Sequence, residues 1–405
     1  MTERALAGIK VLEFGNLVSA PYCAKLIADL GAEVIKIEEP GHGDDARRRG
    51  PFPANEPHQE KSGLFLYLNT NKFGITLDPF SPEGKIIFEK LVKDADVLIE
   101  DRSPGEMEKM GLGYDDLKKL NPGLIMASIT PFGQTGAYRN YKAYQLNIAH
   151  LSGQGYLLPI PTFDLDRPPV KAGCHSSDYD PGLVSVVAIM AALYWKGASG
   201  QGQFIDLSKQ EALISMQRIE SVTYANSGES MTRQGPQHSR MPGGIMPCKN
   251  GHVVVVTPEE HQWQALMTLI GNPKWSQGDM CKDQQARSEN ADELTELIIE
   301  WMIDHTKEEI FEKGQALSCP IAPVNSAEDI VNSKQMEARN FFVEMEHSEA
   351  GRIKKFPASP YRFSKTPWRL DRPAPLLGEH NKDIYCGRLG YTEDDLTRLE
   401  QDGAI

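Results

Sequence analysis

The chain opens with a strand-like run, a helix-like run and a second strand-like run, with only short turns between them. Residues 9–14 (IKVLEF) and 33–39 (EVIKIEE) are rich in β-branched residues, which favours strands. Residues 20–31 (APYCAKLIADLG) have apolar residues at helical spacing and end at Gly31, a typical helix stop. A strand–helix–strand unit places its two strands parallel in one sheet. The sequence therefore predicts a parallel sheet from its opening segment.

The same alternation continues to about residue 130. Ser81 and Pro82 are typical of the N-cap and the first position of a helix. We expect strands at 74–78, 96–100 and 124–129, and helices at 81–95 and 114–120. The pattern predicts the α/β class, with a doubly wound, Rossmann-like parallel sheet in a large domain, residues 1–205. Residues from about 375 to 405 are expected to complete that domain, with a last helix near 392–403.

The residue pattern changes after about residue 225. Residues 228–251 are rich in Gly, Pro and polar residues, which is typical of a loop, and residues 252–257 (HVVVVT) indicate a strand. Amphipathic helices are expected at 259–271, 291–306 and 307–317. These features predict a smaller α+β domain over 225–330. Linkers are expected at 206–224 and 331–374, on either side of it.

Charge and hydropathy exclude several classes of protein. The net charge of −13 at pH 7 does not suit a nucleic-acid-binding protein. The longest strongly apolar run, residues 183–195, is shorter than the ~20 residues that a membrane span needs. The six cysteines are scattered, with no CxxC pair, so we expect reduced thiols and a cytoplasmic protein.

The first strand–helix turn lacks the glycines of a dinucleotide-binding site. It reads GNLVSAP at 15–21, so a pyrophosphate cannot approach the helix as it does in nicotinamide enzymes. Glu38 stands where a ribose-binding acid would, although a solvated glutamate at a strand end is commoner. Cys174 and His175 could suggest a cysteine nucleophile that a histidine activates. The two are adjacent in the sequence, whereas such pairs usually meet across the fold, so their positions argue against this interpretation. No metal-ligand motif is present, so we expect neither a metal nor a nicotinamide cofactor.

A glycine-rich loop at 41–50, GHGDDARRRG, ends in three arginines. Arginine binds a phosphate through two N–H groups at once, so this loop is a candidate for anion capture in an acidic protein. A solvated charged loop is the alternative, and the residues alone leave both interpretations open.

Two aspartates stand close together before the apolar run. Pro181 suits the first position of a helix, so Asp180 is expected at the N-cap and Asp178 on the turn before it. A carboxylate near a helix N-terminus stays ionised, because the free N–H groups and the helix dipole favour the anion. Asp178 is therefore suited to act as a hydrogen-bond acceptor or a nucleophile. From the residues alone, it could equally brace the loop.

Taken together, these segments resemble the family III CoA-transferases over nearly the whole chain. The resemblance rests on the order and spacing of LAGIKVLEF, LGAEVIKIE, GDDAR, NTNKFGITLD, SPEGKIIFEKLVKDADVLIE, PGEMEKMGLGYDDLKKLNPGLIMASITPFGQTG, SDY…GLVSVVAIMAAL, GQGQFIDLS and APLLGEHNKDI. It implies that CoA moves from an acyl-CoA thioester to a carboxylic acid. It also implies that Asp178 forms first an anhydride and then an aspartyl-CoA thioester. CoA, as the acyl-CoA substrate, is the one cofactor expected.

The resemblance also implies where CoA binds. The turn at Leu17, Val18 and Ser19 matches the family's approach to the adenosine part. Phosphate and adenine contacts are expected from Arg47, Lys72, Asp101, Arg102, Lys109 and Lys142. Asp101 and Arg102 replace the family's usual Asn-Phe, and Glu39 replaces a frequent basic residue, so these contacts are expected to be shifted.

Three alternatives and one assembly follow from the same resemblance. An acyl-CoA racemase on this fold would need a histidine at the position of Tyr144, so the sequence argues against racemisation. Gln145 stands where some family members have a carboxylate, which bears on recognition of the acceptor acid. An intramolecular CoA-transfer isomerase would use the same residues, and a non-catalytic CoA-binding protein would keep the basic set alone.

The family implies an interlocked homodimer. It also implies a glycine-rich loop that shields the intermediate, for which 241–247 is the nearest match.

Overall fold

The computed structural model describes residues 4–159, 166–216, 220–233 and 241–405. The described residues form two compact units. The first lies within Met1–Leu158, Pro169–Ala225 and Arg339–Ile405, and the second lies within Pro159–Pro168 and Asn226–Ala338.

The first unit is built on a parallel sheet of six strands in the order β3-β2-β1-β4-β5-β6. The strands are β1 (Lys10–Phe14), β2 (Glu33–Glu38), β3 (Lys72–Thr76), β4 (Val97–Glu100), β5 (Ile125–Thr130) and β6 (Phe204–Ser208). This order reverses between β1 and β4, as in doubly wound folds. The α/β class and the parallel sheet are therefore confirmed. The sequence analysis missed β6, in which Phe204 and Ile205 are only partly buried.

Helices cover both faces of this sheet. The helices of the unit are α1 (Ser19–Asp29), α2 (Gly63–Leu68), α3 (Pro82–Lys93), α4 (Glu106–Lys109), α5 (Tyr114–Leu120), α6 (Gln145–Leu151), α7 (Ser176–Ser199), α8 (Lys209–Met216) and α9 (Glu220–Ser227), with α16 (Asn381–Tyr385) and α17 (Glu393–Gln401) near the C-terminus. The core on one face includes residues of α1 and α7, and the core on the other includes residues of α3, α5, α16 and α17. Strands enclosed in this way are apolar on both sides.

The second unit has its own core. An antiparallel sheet of β7 (Gly244–Cys248), β8 (Gly251–Val255) and β9 (Ile321–Pro323) packs with helices around Trp263, Leu294 and Ile310. Its helices are α10 (Glu260–Leu269), α11 (Gln284–Glu289), α12 (Ala291–Met302), α13 (Lys307–Ala316), α14 (Ala327–Val331) and α15 (Lys334–Ala338). Strand β7 lies inside the segment predicted as a loop, 228–251.

The two ranges expected as linkers contain regular structure. The range 206–224 holds the end of β6, all the described residues of α8 and part of α9. The range 331–374 holds α15 and an antiparallel hairpin of β10 (Phe342–His347) and β11 (Gly351–Pro357). Both ranges lack the long apolar periodicity that marks core elements, so the sequence did not reveal these short ones.

Helix α7 begins five residues earlier than the sequence suggested. The predicted N-cap at Asp180 is wrong, because His175 is the N-cap and its carbonyl accepts the N–H groups of Asp178 and Tyr179 at 2.9 Å. Pro181 lies inside the helix, where it removes a single N–H donor. Asp178 is therefore in the first helical turn and not on the turn before it.

Among the described residues, α7 is the one helix long and apolar enough to cross a membrane. Its inner residues Ile189 and Ala192 are buried in the core beside α1 and the sheet. Its outer residues Val187 and Tyr194 are 66% and 87% exposed. Core helices pass the same test of length and composition, so this is weak evidence for a span.

Candidate active site

The carboxyl ends of the strands form the edge at which the candidate residues gather. Helix α1 follows β1, α8 follows β6 directly, and α7 runs back between β5 and β6, so its first turn lies at this edge. Open parallel sheets bind their ligands at this edge, next to the point where the strand order reverses. The fold thus brings Ser19, Asp178 and Lys209 together from distant parts of the sequence.

Asp178 is mostly buried and has a cationic partner. Its side chain is 15% exposed, and the Lys209 ammonium lies 3.0 Å from Oδ1. His175 Nδ1 lies 3.8 Å from Oδ2, which is beyond a normal hydrogen bond. The two carboxylate oxygens are therefore in different surroundings.

Helix α1 holds the backbone of Asp178 close to the sheet. The Ser19 hydroxyl donates a hydrogen bond to the Asp178 carbonyl at 2.9 Å, and it lies 3.5 Å from Oδ1. Gly182 permits this approach, since a Cβ at that position would be 2.8 Å from the Ser19 carbonyl oxygen. The edge-to-face rings of Tyr22 and Tyr179 pack beside the contact.

The surroundings of Asp178 keep it ionised. Burial alone would raise its pKa, but the nearby His175 ring and the hydrogen-bonded Lys209 ammonium outweigh burial and hold the pKa below its usual value. The first helical turn favours the same anion. A carboxylate that is ionised, partly shielded from water and fixed by its backbone is suited to attack an activated carbonyl. It is not suited to donate a proton at neutral pH.

A small cavity of about 100 Å³ lies at the carboxyl ends of β1 and β2, beside the segment that follows β4. Asn16, Glu39, Asp45 and Arg102 are among the residues that line it. The guanidinium of Arg102 lies over the ring of Phe14 at 4.6 Å. Its Nε–H is buried and has no hydrogen-bond partner among the residues that the structure describes. The cavity thus offers carboxylate acceptors, beside an arginine whose buried Nε–H is unpaired.

Residues 6–381 match the family described as CoA-transferase family III. The chain belongs to this family. It is 31% identical over 399 residues to the succinyl-CoA–D-citramalate CoA-transferase of Chloroflexus aurantiacus. The match covers 98% of this chain and 97% of that enzyme. It is 32% identical over 422 residues to the formyl-CoA:oxalate CoA-transferase of Streptomyces coelicolor, with 100% of both chains covered.

A solved structure supports the same assignment. A CAIB/BAIF family protein from Brucella suis has a TM-score of 0.84 and 30% sequence identity, over 95% of this chain and 100% of that chain. The resemblance stated from the sequence is therefore confirmed at the level of the family.

The residues predicted to bind CoA fall into two groups in this chain, and Arg47 belongs to the buried group. Its guanidinium is fully buried, binds both oxygens of Glu38 and one of Glu60, and lies 3.7 Å from the ring of Phe65. Glu38, the candidate ribose-binding acid, is engaged by the same contact. The geometry shows an ion pair that fixes the glycine-rich loop, with no donor of Arg47 directed to solvent.

Lys72 is also buried. It opens β3, and its ammonium contacts Glu13 Oε2 at 2.7 Å, the Pro21 carbonyl at 2.8 Å and Asn69 Oδ1 at 2.8 Å. Burial and the nearby charge of Lys36 lower its pKa to about 8 despite the carboxylate. Three acceptors use the three N–H donors of an ammonium. A phosphate would have to displace one of them.

The remaining predicted CoA-binding residues lie on loops at the carboxyl edge. Lys109 ends α4 after β4, Lys142 follows β5, and both side chains are exposed. Asp101 accepts a hydrogen bond from the backbone of Asn16 at 2.9 Å, and Arg102 contacts Asp101 at 3.2 Å.

The three residues of the predicted adenosine-binding turn, Leu17, Val18 and Ser19, have different surroundings. Val18 is buried, and the N–H of Leu17, in a left-handed conformation, donates to Asp44 Oδ1 at 2.9 Å. Ser19 is the residue of this turn that reaches Asp178.

Sequence reasoning missed Lys209 and the contact from Ser19 to Asp178. Lys209 is separated from Asp178 by a helix and a strand, so their pairing is a property of the fold. A basic residue directly after a strand end was the available signal, since such positions face the binding edge. Among the described residues, no three His, Cys, Asp or Glu side chains could hold a metal ion together. Independence from metal stays a prediction.

Proposed function

We propose that this protein moves CoA from an acyl-CoA thioester to a carboxylic acid, with Asp178 as the covalent nucleophile. The observation that carries the proposal is the ionised Asp178 carboxylate in the first turn of α7, at the carboxyl edge of a family III fold. Relatives named for succinyl-CoA and formyl-CoA transfer support an acid exchange of this type.

The exchange consists of four balanced steps. Asp178 attacks the thioester carbonyl, and CoA leaves as a thiolate to give a mixed anhydride. The thiolate attacks Cγ of Asp178, and the donor acid leaves as a carboxylate to give an aspartyl-CoA thioester. The acceptor carboxylate then attacks Cγ and displaces the thiolate, which finally attacks the acceptor carbonyl and frees Asp178. Each step is easier than a direct exchange, and no proton is consumed.

Water has to be kept from both intermediates, because anhydrides and thioesters hydrolyse. The shielding loop stays assigned to residues 241–247. This segment lies in the second unit and includes the first residues of β7, with Gly243 and Gly244 at φ values of 127° and 86°. Two consecutive glycines in conformations that other residues rarely adopt make close approach of this backbone to a ligand feasible.

CoA is proposed to place its adenosine part at the cavity beside Arg102. Carboxylates such as Glu39 and Asp45 accept hydrogen bonds from ribose hydroxyls and an adenine amino group, and the Arg102 side chain borders the same cavity. The same carboxylates would repel phosphates. We therefore assign phosphate binding to Lys109 and Lys142, whose exposed ammonium groups lie on loops of the same edge.

The protein is proposed to work as a homodimer in the cytoplasm. The outer face of α7 carries the exposed apolar residues Leu183, Val187, Tyr194 and Trp195. A single apolar face of this kind on a helix is typical of an interface. An interlocked arrangement is the form that the family implies.

The experiment that tests the function is a matrix of acyl-CoA donors and carboxylic acids, read by mass spectrometry. Succinyl-CoA and formyl-CoA are the first donors, and small dicarboxylic and hydroxy acids are the first acceptors. We expect a new acyl-CoA with at least one pair and none with Asp178→Asn. A racemase would instead exchange the α-proton of an acyl-CoA with D₂O without any acceptor. An intramolecular isomerase would convert one CoA ester alone, and a binding protein would do neither.

A further inference from the structure

Lys209 is the one charged partner of Asp178 that the sequence did not single out. It is the first residue of α8, directly after β6, and its side chain is 17% exposed. Its ammonium lies 3.0 Å from Oδ1 of Asp178, whereas His175 Nδ1 lies 3.8 Å from Oδ2. Lys209 thus binds one oxygen of the proposed nucleophile, and the other oxygen is less constrained.

We propose that Lys209 is a catalytic residue of the transfer, acting on Oδ1 of Asp178 in every step at Cγ. The proposal rests on the proposed function and adds a second residue to it. While Asp178 is free, the ammonium fixes Oδ1 and leaves the lone pairs of Oδ2 to attack the donor thioester. Once Oδ2 is acylated, Oδ1 becomes the carbonyl oxygen of the intermediate, next to the same ammonium.

The charge that develops at Cγ then falls on Oδ1. When the thiolate attacks the anhydride, the electron pair of the Cγ=Oδ1 bond moves to Oδ1. The pair returns as the Cγ–Oδ2 bond breaks, and the donor carboxylate leaves with Oδ2. The acceptor carboxylate repeats this movement on the thioester, with CoA thiolate as the leaving group. A cation already at Oδ1 stabilises both tetrahedral oxyanions without rearrangement of the site.

Other groups around the pair also have to be considered. His175 and Tyr179 lie on α7 itself, with Cys174 just before it. Tyr22 faces them from α1, and Asp101, after β4, is within electrostatic reach of Lys209. Of these groups, Lys209 is the nearest cation to Oδ1. Its loss leaves the His175 ring as the neighbour of the carboxylate on the side of Oδ2.

The test compares Lys209→Met, which keeps the length and removes the charge, with Lys209→Arg and a control. The control is Lys196→Met, because Lys196 is 20% exposed and pairs with Asp96 at 2.6 Å. This control measures the cost of losing a partly buried ion pair elsewhere on α7. We measure kcat, KM for both substrates, the pH profile of kcat/KM, and formation of the enzyme-bound thioester from the donor alone.

We expect Lys209→Met to lower kcat by about 10²–10³-fold, the effect of removing one oxyanion donor, with KM changed only a few-fold. Thioester formation should slow equally, and the acidic limb of the profile should move to higher pH. Lys209→Arg should recover most of the loss, and Lys196→Met should stay near the wild-type rate. A Lys209→Met rate within tenfold of wild type, or an equal loss in Lys196→Met, would overturn the proposal. If Lys209→Met does not fold, Lys209→Gln answers the same question.

The outcomes separate this proposal from the proposed function. If Asp178→Asn abolishes transfer while Lys209→Met stays active with an unchanged pH profile, only the role of Lys209 fails. If Asp178→Asn stays active, the covalent route fails, and with it any role for Lys209 at Cγ.

Discussion

At the scale of single residues, the two neighbouring aspartates of α7 should respond differently to substitution. Asp178→Asn should lower activity by more than about a hundredfold, because loss of a covalent nucleophile typically costs several decades. The fold and CoA binding should be retained. Asp180→Asn is the matched control and should be mild, since an asparagine oxygen can still accept the hydrogen bond from Gln154. Steady-state rates and circular dichroism of the variants test this, and Asp178→Asn turning over at wild-type speed would refute the nucleophile role.

The predicted CoA-binding lysines should separate into a stability class and a binding class. Lys72→Met removes one partner of a buried ion pair with Glu13, so the free energy of unfolding should fall by roughly 3 kcal/mol, the lower end for such losses. Lys109→Met and Lys142→Met should leave stability unchanged and weaken CoA-ester binding by about 1–3 kcal/mol, seen as a raised KM.

Urea unfolding and KM for the CoA ester, measured on all three variants, check this. If Lys72→Met raises the KM for the CoA ester without lowering stability, Lys72 has to be assigned to phosphate binding after all. Silent Lys109 and Lys142 variants would leave the phosphates unassigned.

Buried ion pairs also explain which site residues the sequence could not place. Arg47 and Lys72 were expected at the ligand because they match family positions. Their burial was not expected, since charged side chains are rarely buried and nothing in their neighbours indicates Glu38 or Glu13 as partners. Asp178 could be singled out as a candidate, because an acidic residue beside a helix start has a local signature. The signature of Lys209, a basic residue directly after a strand end, depends on β6, which the sequence did not predict, and its partner comes from another element.

At the scale of elements, the close approach of α1 and α7 should be sensitive to one methyl group. Gly182→Ala would place Cβ 2.8 Å from the Ser19 carbonyl oxygen, so the helices must separate and the Ser19–Asp178 hydrogen bond must lengthen. We expect kcat to fall roughly tenfold or more, since small displacements of a nucleophile have large effects on rate.

The control for this prediction is Gly197→Ala on the same helix, where an added Cβ meets nothing within 4 Å. It should keep full activity and gain about 0.5–1 kcal/mol of stability, as expected for alanine in place of glycine within a helix. Equal rates for the two variants would show that the close approach has no catalytic importance.

The elements themselves were predictable where a long apolar pattern marked them. Strands β1 to β5 lie within two residues of their expected positions, because core burial on both faces requires such runs. Strand β6 and the start of α7 were not predictable. Burial in β6 is partial, and the first turn of α7 is set by the backbone of His175 and by contacts with α1.

At the scale of the whole molecule, the exposed outer face of α7 should determine the assembly. The wild-type protein should have about twice the 45.0 kDa mass of one chain in solution. Val187→Glu puts a charge on a residue that is 66% exposed in the single chain, and it should prevent the dimer from forming. Ile86→Glu, at an exposed apolar residue of α3, should leave the dimer intact. Sedimentation velocity distinguishes these results, and a monomeric, active wild type would contradict the interface.

The covalent intermediate provides the most direct test of the central claim. The enzyme is incubated with an acyl-CoA donor that it turns over, without an acceptor, then quenched in acid and weighed by intact-protein mass spectrometry. We expect a mass increase equal to CoA less one water, located by peptide mapping at Asp178 and removed by adding the acceptor acid. Full turnover in the same preparation with no adduct, or with the adduct on another residue, would contradict the account.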